Sequence, residues 1–160
     1  MRRVRPFSLL ITLLLAPICG MANGKPAGPP SRFLFSVSHM GTSNELQIVG
    51  GRLKCTRHDR GSTIRPKMRQ PTPEDWRRLR QVLEDANVWR WRPSYSLQGV
   101  EVMDGQLWRL EVRYADAAVT SRGYSAYPAI DGSLASHPEI PSVWFPLRKA
   151  LVELAPGCLD

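Results

Sequence analysis

The side chains best suited to chemistry in this chain are its histidines and cysteines, a dense run of cations, and a group of tryptophans and tyrosines. His39, His58 and His137 fall at a strand end, in a loop and in a proline-flanked loop. None belongs to an H-E-x-x-H, C-x-x-C, G-x-S-x-G or phosphate-cradling glycine pattern. The nearest approach to a nucleophile with a base is Cys55, His58 and Asp59, but the hairpin register derived below sends Cys55 into the core, where a thiol suits a disulfide better than catalysis. The sequence therefore predicts no catalytic residue, no metal ligands and no cofactor. The alternative, a hydrolytic or redox enzyme, requires a site of unrecognised form with a histidine beside a carboxylate or thiol.

Binding chemistry is better represented. Residues 52 to 80 hold Arg52, Lys54, Arg57, Arg60, Arg65, Lys67, Arg69, Arg77, Arg78 and Arg80 against only Asp59, Glu74 and Asp75. In extended conformation Arg52 and Lys54, then Arg65, Lys67 and Arg69, project from one side as a stripe able to contact phosphates, lipopolysaccharide or acidic protein; a merely solubilising face is the plainer reading. Trp89, Trp91 and Tyr95 are interleaved with Arg90, Arg92 and Pro93, which reads as an exposed, irregular segment. A cleft for sugar or peptide would use those three aromatics first, alongside the stripe. Trp108 instead keeps register with Leu110 and Val112 and is expected to pack inward.

These residues need elements to hold them. Phe33, Phe35 and Val37 alternate with Leu34, Ser36 and Ser38, the period of a strand over 32–39. A loop at Gly41-Thr42-Ser43-Asn44 follows, then strands 45–49 and 52–57 joined by Gly50-Gly51, whose glycines can take the positive φ of a tight hairpin. Counting outward from that turn pairs Val49 with Arg52, Ile48 with Leu53, Gln47 with Lys54 and Leu46 with Cys55, leaving one apolar face. Residues 62–70 alternate too, but Pro66 limits them to an edge strand or extended linker.

Thr72-Pro73-Glu74-Asp75 opens a helix with Thr72 as N-cap and acids facing its positive end. Its stripe is Trp76, Leu79 and Leu83, with Arg77, Arg78 and Arg80 elsewhere, and it should stop near Ala86-Asn87. Asp104-Gly105 reads as a turn in which Asp accepts backbone N–H bonds and Gly supplies the unusual φ. A short turn at Ala115-Asp116 lets strand 106–114 return antiparallel over 117–123, pairing Val112 with Val119 and setting Trp108 opposite Gly123, where an indole covers the missing side chain. Residues 124–141 read as loop. Trp144, Leu147, Leu151 and Leu154 mark a closing helix that begins near Pro146 and ends before Pro156-Gly157. No internal repeat is visible.

The second half also carries Trp89, Trp91, Tyr95, Asp104, Gly105, Trp108, Leu110, Val112, Tyr114, Ser121, Gly123, Ala126, Tyr127 and Pro128 in the order W-x-W, Tyr, D-G-x-x-W-x-L-x-V-x-Y, S-x-G and A-Y-P. This pattern, over about Trp76 to Leu154, resembles a family of exported bacterial proteins built on a domain of unknown function. The resemblance implies a shared fold and no activity. Ser125 departs from the pattern, which more often carries Asn there.

The chain opens with Arg2, Arg3 and Arg5, an apolar run from Phe7 to Ile18, and Gly20-Met21-Ala22, the three parts of a secretory signal cleaved after Ala22. The apolar run is too short to span a bilayer, so no membrane span is expected once it is removed. Bulky Ile18 before Cys19 argues against a lipoprotein. Residues 23–31 form a Pro/Gly-rich flexible lead, and 32–160 a single domain. Cleavage lowers the formal charge of +8 to about +5. It also leaves Cys55 and Cys158, which an oxidising compartment would pair.

Together these features predict a periplasmic or secreted α+β protein: an antiparallel sheet of about five strands with two helices on one face. It is expected to act as a non-enzymatic module whose basic face, at Arg65, Lys67, Arg69, Trp89, Trp91 and Tyr95, meets an acidic protein or an anionic envelope polymer. Nucleic acid is not an expected partner, since no recognisable binding module is present.

Overall fold

A computed structural model of the protein describes residues 28–99, 101–135 and 143–159, so the expected signal segment, most of the expected lead and His137 lie outside the described residues. Four strands of equal length open the domain: β1 (Arg32–His39), β2 (Thr42–Val49), β3 (Arg52–Asp59) and β4 (Ser62–Arg69). They form an antiparallel meander. Both residues of each connecting turn have positive φ, at 46° and 80° for Met40 and Gly41, 56° and 74° for Gly50 and Gly51, and 45° and 84° for Arg60 and Gly61. That pairing of signs is the type I′ hairpin, whose twist matches the strands it joins. A repeat is therefore present after all, marked only by Gly41, Gly51 and Gly61. It escapes notice because the strands between them share a length and a period but no identities. Thr42 to Asn44 belong to β2 rather than to a loop, because Met40 and Gly41 suffice for the turn.

The β2–β3 register is the one deduced by counting from Gly50-Gly51, with Leu46 opposite Cys55 and Ile48 opposite Leu53. β4 is an edge strand. Its register against β3 shifts between Cys55 and Arg57, so that Arg65 and Pro66 both stand opposite Thr56. This bulge admits a residue with no N–H to give the ladder.

Helix α1 (Pro73–Asp85) starts on a complete capping box, in which the Thr72 side chain accepts from the Asp75 N–H and the Asp75 carboxylate accepts from the Thr72 N–H. A 3-10 turn at Val88–Arg90 follows. Then come β5 (Ser94–Ser96), β6 (Leu107–Arg113), β7 (Ala118–Tyr124) and α2 (Trp144–Leu154). The fold is α+β. Among the described residues its sheet has seven strands in the order β4-β3-β2-β1-β6-β7-β5, antiparallel throughout except where β5 joins β7 in parallel. The count exceeds the expected five because β4 completes the meander and because three residues after Pro93 attach to the far edge. At the lead's end Pro30 is buried, and the N–H and hydroxyl of Ser31 both donate to the Arg113 carbonyl, at 2.8 and 3.0 Å.

Both helices cover one face of the sheet. Phe33, Phe35, Leu46, Leu53, Trp108, Leu110 and Val112 from the strands meet Trp76, Leu79, Leu83, Trp144, Leu147, Leu151 and Leu154 from the helices in one core. Trp108 is its centre, with ring centroids 5.0 Å from Trp144, 5.9 Å from both Trp91 and Tyr95, and 6.4 Å from Tyr127. It lies over Gly123, in register, and donates from Nε1 to the Ala126 carbonyl at 2.8 Å. A Cβ on Gly123 would sit 2.5 Å from that indole nitrogen. Cys55 and Cys158 form a disulfide with Cα atoms 5.8 Å apart, tying β3 to the segment beyond α2.

Two stability measurements follow from this packing. Gly123→Ala forces Trp108 or the Ala126 backbone to move and should cost about 3 kcal/mol in urea unfolding, as overpacking of a tight core does. Replacing Cys55 and Cys158 together by Ser opens a loop of 103 residues. That change should lower the unfolding free energy by about 4 kcal/mol in the chain-entropy model while leaving the far-ultraviolet spectrum of the sheet in place.

Candidate functional site

Two members of the basic stripe reach toward the end of α2, Lys67 remaining exposed and Arg69 half-buried. Lys67 and Arg69 lie on the side of β4 that faces α2; the Arg69 head group meets the helix's C-terminal carbonyls and that of Lys67 a carbonyl just beyond them. Arg69 donates to Leu154 O and, at 3.2 Å, to Glu153 O, and pairs with Asp75 at 3.0 Å; Lys67 donates to Gly157 O at 3.4 Å. Cations at the negative end of a helix are favourable, and here they also hold the first residues of α1 against the last of α2. Arg65 stands in the bulge beside them.

The aromatic trio is internal rather than exposed. Trp91 and Tyr95 are buried, and Trp89 is half-buried against the core. Trp91 Nε1 donates to Ala86 O at 3.2 Å, and the Tyr95 hydroxyl accepts from the Arg92 N–H and donates to Gly132 O. Arg90 and Arg92 hide this from a sequence reading, because the segment turns so sharply that alternate residues reach water.

Arg80, placed off the apolar stripe of α1 by its spacing, is nevertheless buried. Its guanidinium is buried between the rings of Trp89 and Tyr114, 4.8 and 4.5 Å from their centroids, with Glu84 and both oxygens of Asp116 as partners. Burial in this cluster pushes the Tyr114 hydroxyl up to about 12, against the opposing charge of Arg80. The turn at Asp104-Gly105 is inverted relative to expectation: Asp104 carries the positive φ, 59°, while Gly105 makes room for the Tyr124 ring, 2.5 Å from where a Cβ would lie. Ser125 has φ of 45° and accepts from the Gln106 N–H, a conformation that Asn also tolerates.

With Trp91 and Tyr95 buried and Arg69 tied to the end of α2, the cations that strand alternation groups together lie on the sheet face that the helices do not cover, Arg52 and Lys54 of the stripe among them, while Lys67 stays exposed on the other side. Strand alternation places Arg32, Arg52, Lys54, Arg109, Arg113 and Arg122 there, with Glu45 and Glu111 as the acids. Two neighbouring rows cross β1, β6, β7 and β5: Ser36, Arg109, Arg122 and Ser94, then Ser38, Leu107, Tyr124 and Ser96. They floor a shallow trough of about 480 Å³ whose lining contains no carboxylate. A second depression of about 430 Å³ lies further along β1, lined by Ser31, Arg32, Leu34, Gln47 and Arg113 among others.

Between the two lies Glu111, its side chain only 6 % exposed, bonded to Arg32 at 2.6 Å and paired with Arg109. Burial alone would raise its carboxyl, but the hydrogen bond from Arg32 and the charges of Arg109 and Arg32 outweigh that and hold it below the ordinary range. Asp75 behaves alike: burial raises it, while the Thr72 hydrogen bonds and Arg69 prevail and lower it.

No family model matches the chain, and no curated protein is similar to it. Among the described residues there is no group of His, Cys, Asp and Glu that could hold a metal, and no helix is long and apolar enough to cross a membrane. His39 is exposed. His58 bonds Thr63 at 3.0 Å on the bare face, while Cys55 faces the core in its disulfide, so the strand's own alternation separates the members of the imagined Cys55–His58 site.

Arg69→Gln should destabilise the protein by about 1–2 kcal/mol, since it unties charged hydrogen bonds to α2, and denaturant titration measures this directly. Glu111 and Asp75 have folded pKa values below their unfolded ones. Their contribution to stability is complete above the unfolded values and is lost as pH falls through the folded ones. The melting temperature should therefore drop below about pH 4, and Glu111→Gln should make that drop shallower; an equally steep drop would remove Glu111 from the account.

Proposed function

We propose that the protein is an exported, non-enzymatic binding module that docks an anionic partner on the bare face of its sheet. The observation that carries this reading is the segregation of charge: Arg32, Arg52, Lys54, Arg109, Arg113 and Arg122 share one uncovered face with only Glu45 and Glu111. A field of one sign over a face raises the local concentration of opposite charge and speeds encounter. Export is supported by the leader's three-part composition and is consistent with a disulfide between the two cysteines that cleavage would leave. The enzymatic alternative lacks a corresponding observation, since neither described histidine lies beside a carboxylate or a free thiol.

Dextran sulfate, with neutral dextran as control, provides the test. The protein should bind the sulfated polymer with an affinity that falls as salt is raised. Reversing Arg113 and Arg122 to Glu should weaken binding by about 30-fold, whereas Arg77→Gln with Arg78→Gln, on α1 at the other side of the molecule, should leave it unchanged. Equal binding by the two double variants would reject the bare face as the docking surface.

A further inference from the structure

Resting on that reading of the bare face, we propose that its occupant is an extended polymer of sugars bearing oxyanions, with one acidic group on Arg109 and Arg122 and a second on Arg32 and Arg113. Both pairs are direct cross-strand neighbours, Arg109 opposite Arg122 on β7 and Arg113 opposite Arg32 on β1. Like charges so placed destabilise a sheet. Of the four guanidiniums, Arg32 and Arg109 share the single carboxylate of Glu111, and no other ion pair involves the four among the described residues. An oxyanion lodged between paired guanidiniums accepts hydrogen bonds from both and turns each repulsion into a bidentate contact.

The spacing favours a polymer over a lone anion. Arg109 and Arg113 are four residues apart on one strand, about 13 Å at the rise of a β-strand, and each belongs to its own depression on the same face. An extended ligand with repeated charges can occupy both at once; an inorganic anion fills one.

The remaining groups favour sugar over acidic polypeptide. Ser36 and Ser94 flank the Arg109–Arg122 pair, and Ser38 and Ser96 flank the next row; past β1 the rows continue to Glu45 and Ser43 on β2. Each hydroxyl both donates and accepts, which matches sugar hydroxyls, whereas a carboxylate-rich peptide face needs donors alone. Between Ser38 and Ser96 lie Leu107 and Tyr124, 54 % and 38 % exposed. The Tyr124 hydroxyl is already engaged, accepting from the Gly105 N–H and donating to Val102 O, so the part left to a ligand is the ring. An aromatic ring beside free hydroxyls and paired guanidiniums suits a sugar ring carrying an acidic group. The absence of carboxylates from the trough's lining disfavours cationic ligands.

Calorimetric titration of the full chain tests this with five probes: a uronic-acid hexamer, its methyl ester, a hexose hexamer carrying phosphate monoesters, a uronic-acid dimer and poly-glutamate of equal charge. At least one of the two anionic hexamers should bind, and which one does identifies the oxyanion. It should bind at least about tenfold more tightly than the ester, the dimer or poly-glutamate. Arg109→Gln with Arg122→Gln, and separately Arg32→Gln with Arg113→Gln, should each weaken the hexamer by about tenfold or more. Ser36→Ala with Ser94→Ala should weaken the hexamer about threefold and leave poly-glutamate unaffected.

If poly-glutamate binds as well as the hexamers and the serine variants change nothing, the sugar assignment falls while the anion-docking face stands. A dimer as good as the hexamer, with no effect at Arg32 and Arg113, overturns the two-depression track. If no anionic probe binds, both this assignment and the reading beneath it fall. Unfolding curves of each variant separate lost binding from lost structure.

Discussion

The seating of Trp108 over Gly123 is the constraint on which the rest of this molecule depends. It joins β6 to β7 in one register, and it brings Trp91, Tyr95, Tyr127 and Trp144 around a single indole. Because side chains alternate along a strand, sending Trp108 and Gly123 inward obliges Leu107, Arg109, Arg122 and Tyr124 to face outward. The core contact and the candidate site are thus two sides of the same register. A slip of one residue would bury two arginines and expose the indole at the centre of the core.

Charge in this protein divides into two populations with different work. Arg69 and Arg80 are structural: the first meets the carbonyl end of α2, and the second lies between two aromatic rings with carboxylates on its donors. A buried guanidinium is tolerable only with such partners, since an unpaired one would carry a large desolvation cost. Arg113 and Arg122 have no ion-pair partner among the described residues, and Arg32 and Arg109 have only Glu111. Density of cations along the chain pointed to residues 52 to 80, yet much of that density is neutralised by the fold. The face with excess charge draws instead on both halves of the chain.

Local rules carried far where a turn or cap pinned the backbone. Gly50-Gly51 sufficed to place Leu46 opposite Cys55, Thr72 with Pro73 sufficed to start α1, and the short Ala115-Asp116 turn sufficed to set Trp108 against Gly123. They failed where the determining partner is distant in sequence. Met40 and Arg60 take left-handed φ in hairpin turns although neither residue type favours it, because the strands on either side pair regardless. β5 exists only because β7 offers it an edge. The inward turn of Trp91 and Tyr95 depends on Ala86, Gly132 and Trp108, none of them adjacent.

By itself, then, the amino-acid order determined the α+β class, the registers of two hairpins, the two helices with their amphipathic stripes, and which cysteines were suited to pair. Those properties follow from period, turn chemistry and composition, all of which act over a few residues or over the whole chain at once. Which cations face water was decided only in three dimensions. The side of β4 that meets α2, and the row that aligns Ser36, Arg109, Arg122 and Ser94, depend on strand order across the sheet, and strand order is set by how the helices and aromatic rings pack, not by any local pattern.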